Sequence, residues 1–394
     1  VKRGIAHAIK ASQVYPALAS LLRIEVITED ASEADFINSY YKRSPIPVEG
    51  YLLPADYETP GKTKLKARAL HYMVERHREN PRGAYIVHYD EESVFTVTNI
   101  ARLVTNLLLT PVGISEGSIS YGLDWREAHI LCRTMESNRP FGCHECFLMM
   151  THPAPLHLHG SNLVVQEKLE NKIGWDIGLY KDHALIAEDL VFGLMAYQKF
   201  GKKAFGWHYV EMIEQPPFTK KAAFKQRERW VLGALQGVNH VRTMPTWKSL
   251  GIWDRFKVQV VIRVRVLTYA LGLPVSICSL LAAIYTTAGE LLDWSLTGHW
   301  HFHIVMLALP GVAMWLGATQ IGLTQNLRYT DLRRHEKIWE HIKVLCYTPF
   351  AGLYDTAGPF VAVWKWTTGT RGIAWKPTPK LRGQEYEADP AAVA

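Results

Sequence analysis

The sequence predicts an α/β domain followed by an α-helical transmembrane domain, and three observations carry this. Residues up to about 240 place short apolar runs and amphipathic stretches in strand–helix–strand–helix order, which implies a largely parallel sheet. Beyond about residue 258 the chain changes to long apolar runs. The Trp residues crowd toward that second half, as expected at membrane interfaces.

Composition agrees. Of 394 residues 21% are charged, yet 48% are hydrophobic, and a mean hydropathy of −0.06 is high for a soluble enzyme with so much charge. The net charge of +7 matters through its placement at the ends of the apolar runs; no nucleic-acid partner is expected. Cys132, Cys143, Cys146, Cys278 and Cys346 are odd in number and irregularly spaced. That excludes a disulfide framework and points to a reducing compartment for the first half. Cys143-His144-Glu145-Cys146 looks like half of a zinc site, with His152, His157 and His159 nearby. The second pair at finger spacing is missing, so the pattern reads as a helix carrying two small apolar thiols.

The chain opens in a predicted helix, Lys2 to Leu22, with no strand before it and no signal peptide. A nucleotide-binding α/β fold normally starts with a strand, so the chain is expected to begin after that strand and after any N-terminal membrane segment. Arg23 to Thr28 is a strand ending in Glu29-Asp30, and Val48 to Leu53 is a second. A helix follows over Lys64 to Arg78, then the apolar strand Ala84 to Tyr89 after the turn Asn80-Pro81-Arg82-Gly83. Further helices are predicted over Phe95 to Leu109, Asp124 to Met150 with an interruption near Pro140, Ala187 to Phe200 and Lys220 to Gln236. Val112 to Tyr121 is strand-like, with Gly113 and Gly117 marking a bend.

Two apolar runs, about 266–288 and 304–324, are long enough to span a bilayer. The link between them, Gly289 to His303, has no Lys or Arg, whereas Lys257, Arg263 and Arg265 precede the first run and Arg328, Arg333, Arg334, Lys337 and Lys343 follow the second. By the positive-inside rule the link is outside and the first half cytoplasmic. A third run, 344–363, contains Pro349, Gly352, Asp355, Gly358 and Pro359 and has basic flanks on both sides, which predicts a broken or re-entrant segment. Trp247, Lys248 and Trp253 read as an interfacial segment, and 384–394 as a disordered tail. The domains are thus 1–240 and 241–383 of a multi-pass membrane protein, in the cell membrane or an endomembrane.

Three acidic or aromatic constellations carry chemistry. Asp90, Glu91 and Glu92 follow the strand ending at Tyr89, where α/β sheets bind ligands. In an extended backbone Asp90 and Glu92 point the same way, which suits a divalent cation holding a diphosphate; alone, the triplet fits a solvated turn equally well. Glu188-Asp189 opens a helix, as a cap favoured by the dipole or as a general base. Gln226, Arg229 and Trp230 share one helix face at offsets of three and four. Arg holds a diphosphate bidentately and Trp offers a flat surface to a sugar ring, although a core Trp beside a surface Arg has the same spacing.

Taken in order, these motifs resemble a membrane-integrated family 2 inverting glycosyltransferase with a GT-A domain, related to cellulose, hyaluronan and chitin synthases. More narrowly, the chain resembles egghead-type β-1,4-mannosyltransferases, on Leu53 to Tyr57, Lys64 to Leu70, His88 to Ser93, His159 to Asn162, Ile186 to Asp189 and Gln226 to Gly233. Glu92 stands where many relatives carry a second Asp. The resemblance implies inversion by single displacement. Glu29, Asp30, Lys66, Asp90, Glu91 and Arg229 would bind the nucleotide sugar, and Asp90 with Glu92 would hold Mg²⁺ or Mn²⁺. Asp189 would deprotonate the acceptor. His159, Gly160, Ser161, Asn162, Glu188, Gln226 and Trp230 would bind an acceptor glycolipid or glycan at the lipid bilayer. Thr368 to Gly372 resembles a gating segment, though a basic tail on anionic lipid has the same composition. GDP-mannose is the donor the resemblance favours. The alternatives are a processive synthase using UDP-glucose or UDP-N-acetylglucosamine, and a non-catalytic subunit that binds or conducts glycans.

Overall fold

The computed structural model describes residues 1–151, 158, 160–291 and 300–372. The predicted tail, the basic stretch from 373 onward and most of the link 289–303 lie outside the described residues.

Helix α1 (Lys2–Val14) is shorter than expected, because Pro16 turns the chain into a 3-10 segment, Pro16–Ser20. Strands β1 (Ile24–Thr28) and β2 (Val48–Leu52) run parallel, joined by α2 (Ala31–Tyr40), a helix the sequence reading did not contain. Then come α3 (Lys66–Glu79), β3 (Tyr85–His88), α4 (Val97–Leu109), β4 (Ile114–Glu116) and β5 (Ile119–Ser120). The long helix predicted from Asp124 is two helices, α5 (Ile130–Ser137) and α6 (Arg139–Thr151), parted at Asn138 rather than Pro140. Cys143 and Cys146 are buried on α6, as two apolar thiols would be. Next are β6 (Leu163–Gln166), α7 (Glu167–Ile173), the hairpin β7 (Leu179–Tyr180) and β8 (His183–Ala184), α8 (Glu188–Phe200), β9 (Phe205–Trp207), β10 (Met212–Ile213) and α9 (Lys220–His240).

The main sheet has the order β3-β6-β4-β9 and is mixed, not largely parallel. β6 runs antiparallel to both β3 and β4. A parallel neighbour needs a crossover that brings the chain back to the starting end. α2 supplies one between β1 and β2. Leu163, Val164 and Val165 of β6 are fully buried and alternate between two cores. Leu163 and Val165 join Val191, Phe192 and Leu232 of α8 and α9; Val164 joins Ile9, Ile100 and Leu103 of α1 and α4. Each such side chain contributes about 1.5–3 kcal/mol. The sheet is therefore held from both faces, and its loops at the β3 end can carry polar groups.

Three long helices follow: α10 (Ile252–Leu291), α11 (Trp300–Leu327) and α12 (Arg334–Thr367). Among the described residues one stretch, Ile252–Ser279, is long and apolar enough to cross a membrane by length and composition. The third apolar run is not broken: α12 continues through Pro349 and Pro359. A proline removes one amide donor and crowds the carbonyl four residues back, but packing on both sides keeps such a helix whole. That packing is close. A Cβ on Gly358 would lie 2.6 Å from the Phe224 carbonyl oxygen of α9, so α12 and α9 touch backbone to backbone.

A buried ionic lattice ties the helices to the α/β domain. The fully buried Arg227 of α9 donates to Glu136 of α5 (2.5 Å), Asp355 of α12 (2.8 Å) and Gln226 (2.5 Å). Tyr269 of α10 donates to Asp355 (3.0 Å). Breaking one partner of a buried pair strands the other's charge, typically at about 3–5 kcal/mol. Arg227→Leu is expected to lose stability of that size, read as a lowered denaturant midpoint; an unchanged midpoint would mean the lattice contributes nothing.

Candidate functional site

The strand β3 stops at His88, and the backbone then turns, with the Ser93 amide donating to the Asp90 carbonyl at 3.0 Å. The alternation expected through the acidic triplet therefore ends before it. Asp90, Glu91 and Glu92 all line one cavity of about 1940 Å³. The cavity runs from Glu29 and Lys66 past Glu188 and Asp189 to Trp230 and the side of α10.

Lys66, the first residue of α3, is among the residues that line it. Its ammonium donates to Asp90 Oδ1 and to the Gly160 carbonyl (3.1 Å). Burial alone would lower the Lys66 pKa, but Asp90, Glu188 and Asp189 outweigh it and raise it, so the ammonium is permanently charged. Backbone strain sets its place: the preceding Leu65 has φ 61° and ψ −149°, a region nearly reserved for glycine that costs about 1–3 kcal/mol. Gly160 closes the other side. A Cβ there would lie 3.3 Å from Lys66 Nζ, 3.5 Å from Asp189 Oδ2 and 3.8 Å from Glu188 Oε1.

Glu188 and Asp189 begin α8 without capping it: Ala187 is the N-cap and no side chain bonds there. Asp189 Oδ1 accepts from the Leu190 amide at 2.8 Å. Burial, then the neighbouring Glu188 charge, push the Asp189 carboxyl up to about 7; burial also raises Glu188. The two titrate as a pair. On α9, Gln226, Arg229 and Trp230 all face the cavity, as their spacing predicts. The Trp230 ring is fixed by two guanidiniums, Arg139 at 4.4 Å and Arg227 at 4.8 Å.

The remaining predicted residues divide. Glu29 lines the cavity and pairs with Arg68 at 2.5 Å. Asp30 does not line it; it caps α2, accepting from the Ser32 amide (2.8 Å) and hydroxyl (2.7 Å), so its assignment to the donor site is corrected. Ser161 lines the cavity, but Asn162 is fully buried behind it at φ 56°, bonding the Ser118 (2.8 Å) and Val210 (3.0 Å) carbonyls. Asn162 is thus a turn-forming residue and not an acceptor ligand. His159 lies outside the described residues.

Glu214 is the residue the sequence reading missed. It follows β10 and lines the same cavity. One carboxylate oxygen, Oε1, accepts from both Ser93 (3.1 Å) and Ser161, joining the acidic turn to the Gly160 loop. Burial first, then Glu92 and Asp90, push its carboxyl up to about 8. The oxygen-only donor set of Asp90 and Glu92 fits a hard divalent cation that keeps several waters. Among the described residues no three His, Cys, Asp or Glu side chains gather closely enough to hold a metal by themselves.

Residues 85–318 match the family described as glycosyl transferase family group 2. The chain is 26% identical over 227 residues to the β-1,4-mannosyltransferase egh of Drosophila melanogaster, covering 56% of this chain and 46% of that protein. It is 27% identical over 210 residues to the β-1,4-mannosyltransferase bre-3 of Caenorhabditis elegans, covering 52% and 44%. The chain thus spans just under half the length of these curated relatives. Among solved structures it is similar to residues 1–349 of S. aureus TarS, at 10% identity and TM-score 0.37, over 94% of this chain and 89% of that one. The same TarS fragment in complex with UDP-GlcNAc aligns at 12% identity and TM-score 0.37, over 92% and 86%.

The raised Glu214 carboxyl makes a stability prediction. An acid whose pKa rises on folding binds extra protons in the folded state between its unfolded value, 4.5, and about 8. Its contribution is therefore intact below 4.5 and is lost as pH climbs through that window. Glu214→Gln keeps an amide oxygen for Ser93 and Ser161 and cannot ionise. The variant is expected to lose less thermal stability than the parent between pH 5 and pH 8.5 in chelator; parallel declines would refute the coupling.

Proposed function

The chain belongs to glycosyl transferase family group 2, and from that premise we propose that it moves mannose from GDP-mannose to an acceptor sugar hydroxyl, with inversion, forming a β-glycosidic bond on a glycolipid or polysaccharide. The observation that carries this is the single cavity in which Lys66 meets Asp90, Glu188 and Asp189 opposite Arg229 and Trp230. The choice of mannose leans on the relatives named β-1,4-mannosyltransferases.

In this reading the mixed α/β domain of GT-A type binds the donor at the β3 end of its sheet. Lys66 and Arg229 offset the charge on the diphosphate as it leaves. Asp189, oriented by the Leu190 amide, accepts the proton of the acceptor hydroxyl. A base with pKa near 7 is matched to that task, since it is ionised at working pH yet basic enough to take a proton. Trp230, braced by Arg139 and Arg227, packs against the acceptor ring. Asp90 and Glu92 would hold Mg²⁺ or Mn²⁺, which supplies charge neutralisation on the diphosphate.

A bilayer location is part of the proposal. It draws support from the Ile252–Ser279 stretch and from exposed Leu267, Leu271, Val275 and Leu281 along α10. Lys257, Arg263 and Arg265 in the N-terminal part of α10, and Arg328, Arg333 and Arg334 after α11, favour a cytoplasmic catalytic domain.

A donor-hydrolysis screen on purified protein tests the reading. GDP release from GDP-mannose is expected to exceed UDP release from UDP-glucose or UDP-N-acetylglucosamine; the reverse order would turn the assignment to a UDP-sugar synthase. Asp189→Asn should lower turnover about 10²–10⁴-fold with nucleotide affinity nearly intact. Because the base must be ionised, kcat/KM of the parent should rise with pH through about 7. Glu188→Gln, which removes the like charge, should move that rise to lower pH. Normal turnover in Asp189→Asn would remove it as the base.

A separate measurement addresses the metal. Activity is expected to vanish in EDTA and return with Mn²⁺ or Mg²⁺. Full activity in excess chelator would mean that Lys66 and Arg229 neutralise the diphosphate alone.

A further inference from the structure

Lys66 opens α3 at the end of a loop that has few hydrogen bonds of its own, the Lys62 amide to the Thr59 carbonyl (2.9 Å) and the Thr63 amide to the Thr59 hydroxyl (2.8 Å) among them. Between β2 and α3 the chain passes through Thr59, Gly61, Lys62 and Thr63 to Leu65, and two of these residues are forced out of ordinary backbone space. Lys62 has φ 59° and Leu65 φ 61°. A loop with such residues persists only where the surroundings over-determine it.

The fastening comes from a carboxylate more than a hundred residues away. Asp176 Oδ1 accepts from Thr59 Oγ1 (2.7 Å) and from Thr63 Oγ1 (2.7 Å), and Oδ2 accepts from the Gly61 amide (2.7 Å). Thr59 in turn accepts from the Thr63 amide (2.8 Å), and the Gly178 amide donates back to Thr63 Oγ1 (2.7 Å). The fit admits no side chain at Gly61, where a Cβ would lie 2.5 Å from Asp176 Oδ1. Asp176 itself is anchored between Trp175 and Ile177, both in the main core. It does not line the cavity, whereas Lys62, Thr63, Lys64, Leu65 and Lys66 do.

We propose that Asp176 is a positioning residue of the donor site, whose carboxylate clips the 59–65 loop into the strained form that presents Lys66 to a nucleoside diphosphate. This rests on the reading that Lys66 faces the donor diphosphate. Three hydrogen bonds to one carboxylate satisfy its charge without a cation, and the backbone strain they sustain falls next to the residue that needs placing. Asp176→Asn keeps the size of the side chain but replaces one acceptor by a donor, so at least one loop contact is lost.

The test uses the full chain and calorimetric binding of GDP and UDP with Mg²⁺. Asp176→Asn is expected to weaken binding of the nucleotide about tenfold, because the binding-competent form of the released loop would then be only about a tenth populated. Acceptor KM should stay unchanged. Gly61→Ala pushes its methyl against the Asp176 carboxylate while leaving that side chain chemically unchanged, and should act in the same direction, which covers failure of the first variant to fold. The decisive comparison is with Lys66→Ala. If Asp176 acts through Lys66, the double variant binds nucleotide no worse than Lys66→Ala alone. Additive losses, or a lowered melting temperature with unchanged nucleotide affinity, would overturn the proposal. Undiminished binding in Lys66→Ala would instead overturn the reading of the donor site on which it rests.

Discussion

One ammonium organises the site. Lys66 draws Asp90, Glu188 and Asp189 to a single point, and without it three carboxylates around one cavity would repel each other. Its hydrogen bond to the Gly160 carbonyl adds the loop before β6 to the same cluster. The ends of β3, α3 and α8 and that loop, whose bodies are packed in the core, are thus tied together at the cavity by one charge. The arrangement also explains why Asp189 and Glu188 are both raised. Lys66 is shared with Asp90, so it offsets only part of the penalty that burial and mutual repulsion place on the pair.

A second cation does for the helices what Lys66 does for the cavity. Arg227 neighbours Gln226 and Trp230 on α9 without lining the cavity, and it joins α5, α9 and α12. Trp230 lies against that guanidinium, so the indole on the cavity side is braced by contacts reaching α12. Further ties run along the same boundary: Arg126 to Glu336 (3.0 Å), Arg133 to Glu340 (2.8 Å) and the Tyr121 amide to Asn326 (2.8 Å). The long helices are thus built into the site's support.

What was legible in the sequence is what sits at element ends or on a helical period. Glu188-Asp189 precedes an apolar run, and Gln226, Arg229 and Trp230 fall on one stripe, so both groups could be placed without coordinates. Asp30 was misplaced because α2 went unseen. Yet Asp30 with Glu33 three residues on has the form of a helix start, and that pattern would have identified the cap. Asn162 was assigned to the acceptor with the rest of the His159 to Asn162 stretch, on the family resemblance, but Asn also tolerates the left-handed turn it occupies. Glu214 and Asp176 were beyond reach for another reason. Each follows strands or helices too short to show a period, and each acts on residues distant in sequence.

Part of the fold's strained backbone lies at the cavity, while Asp124 and Tyr209 carry positive φ away from it. Lys62 and Leu65 line it and Asn162 lies directly behind it, all at positive φ, while Lys181 and Asp182 have the same sign for a plainer reason, closing the β7–β8 hairpin. The apolar part of β6, Leu163 to Val165, is by contrast fully buried with regular pairing on both sides. The division follows from the energetics. A regular core supplies the surplus that lets a few residues hold unfavourable backbone, and lets like charges stand within reach of one ammonium. Relaxing Leu65 or neutralising Glu214 would return stability to the fold but would also free the groups whose fixed positions define the site.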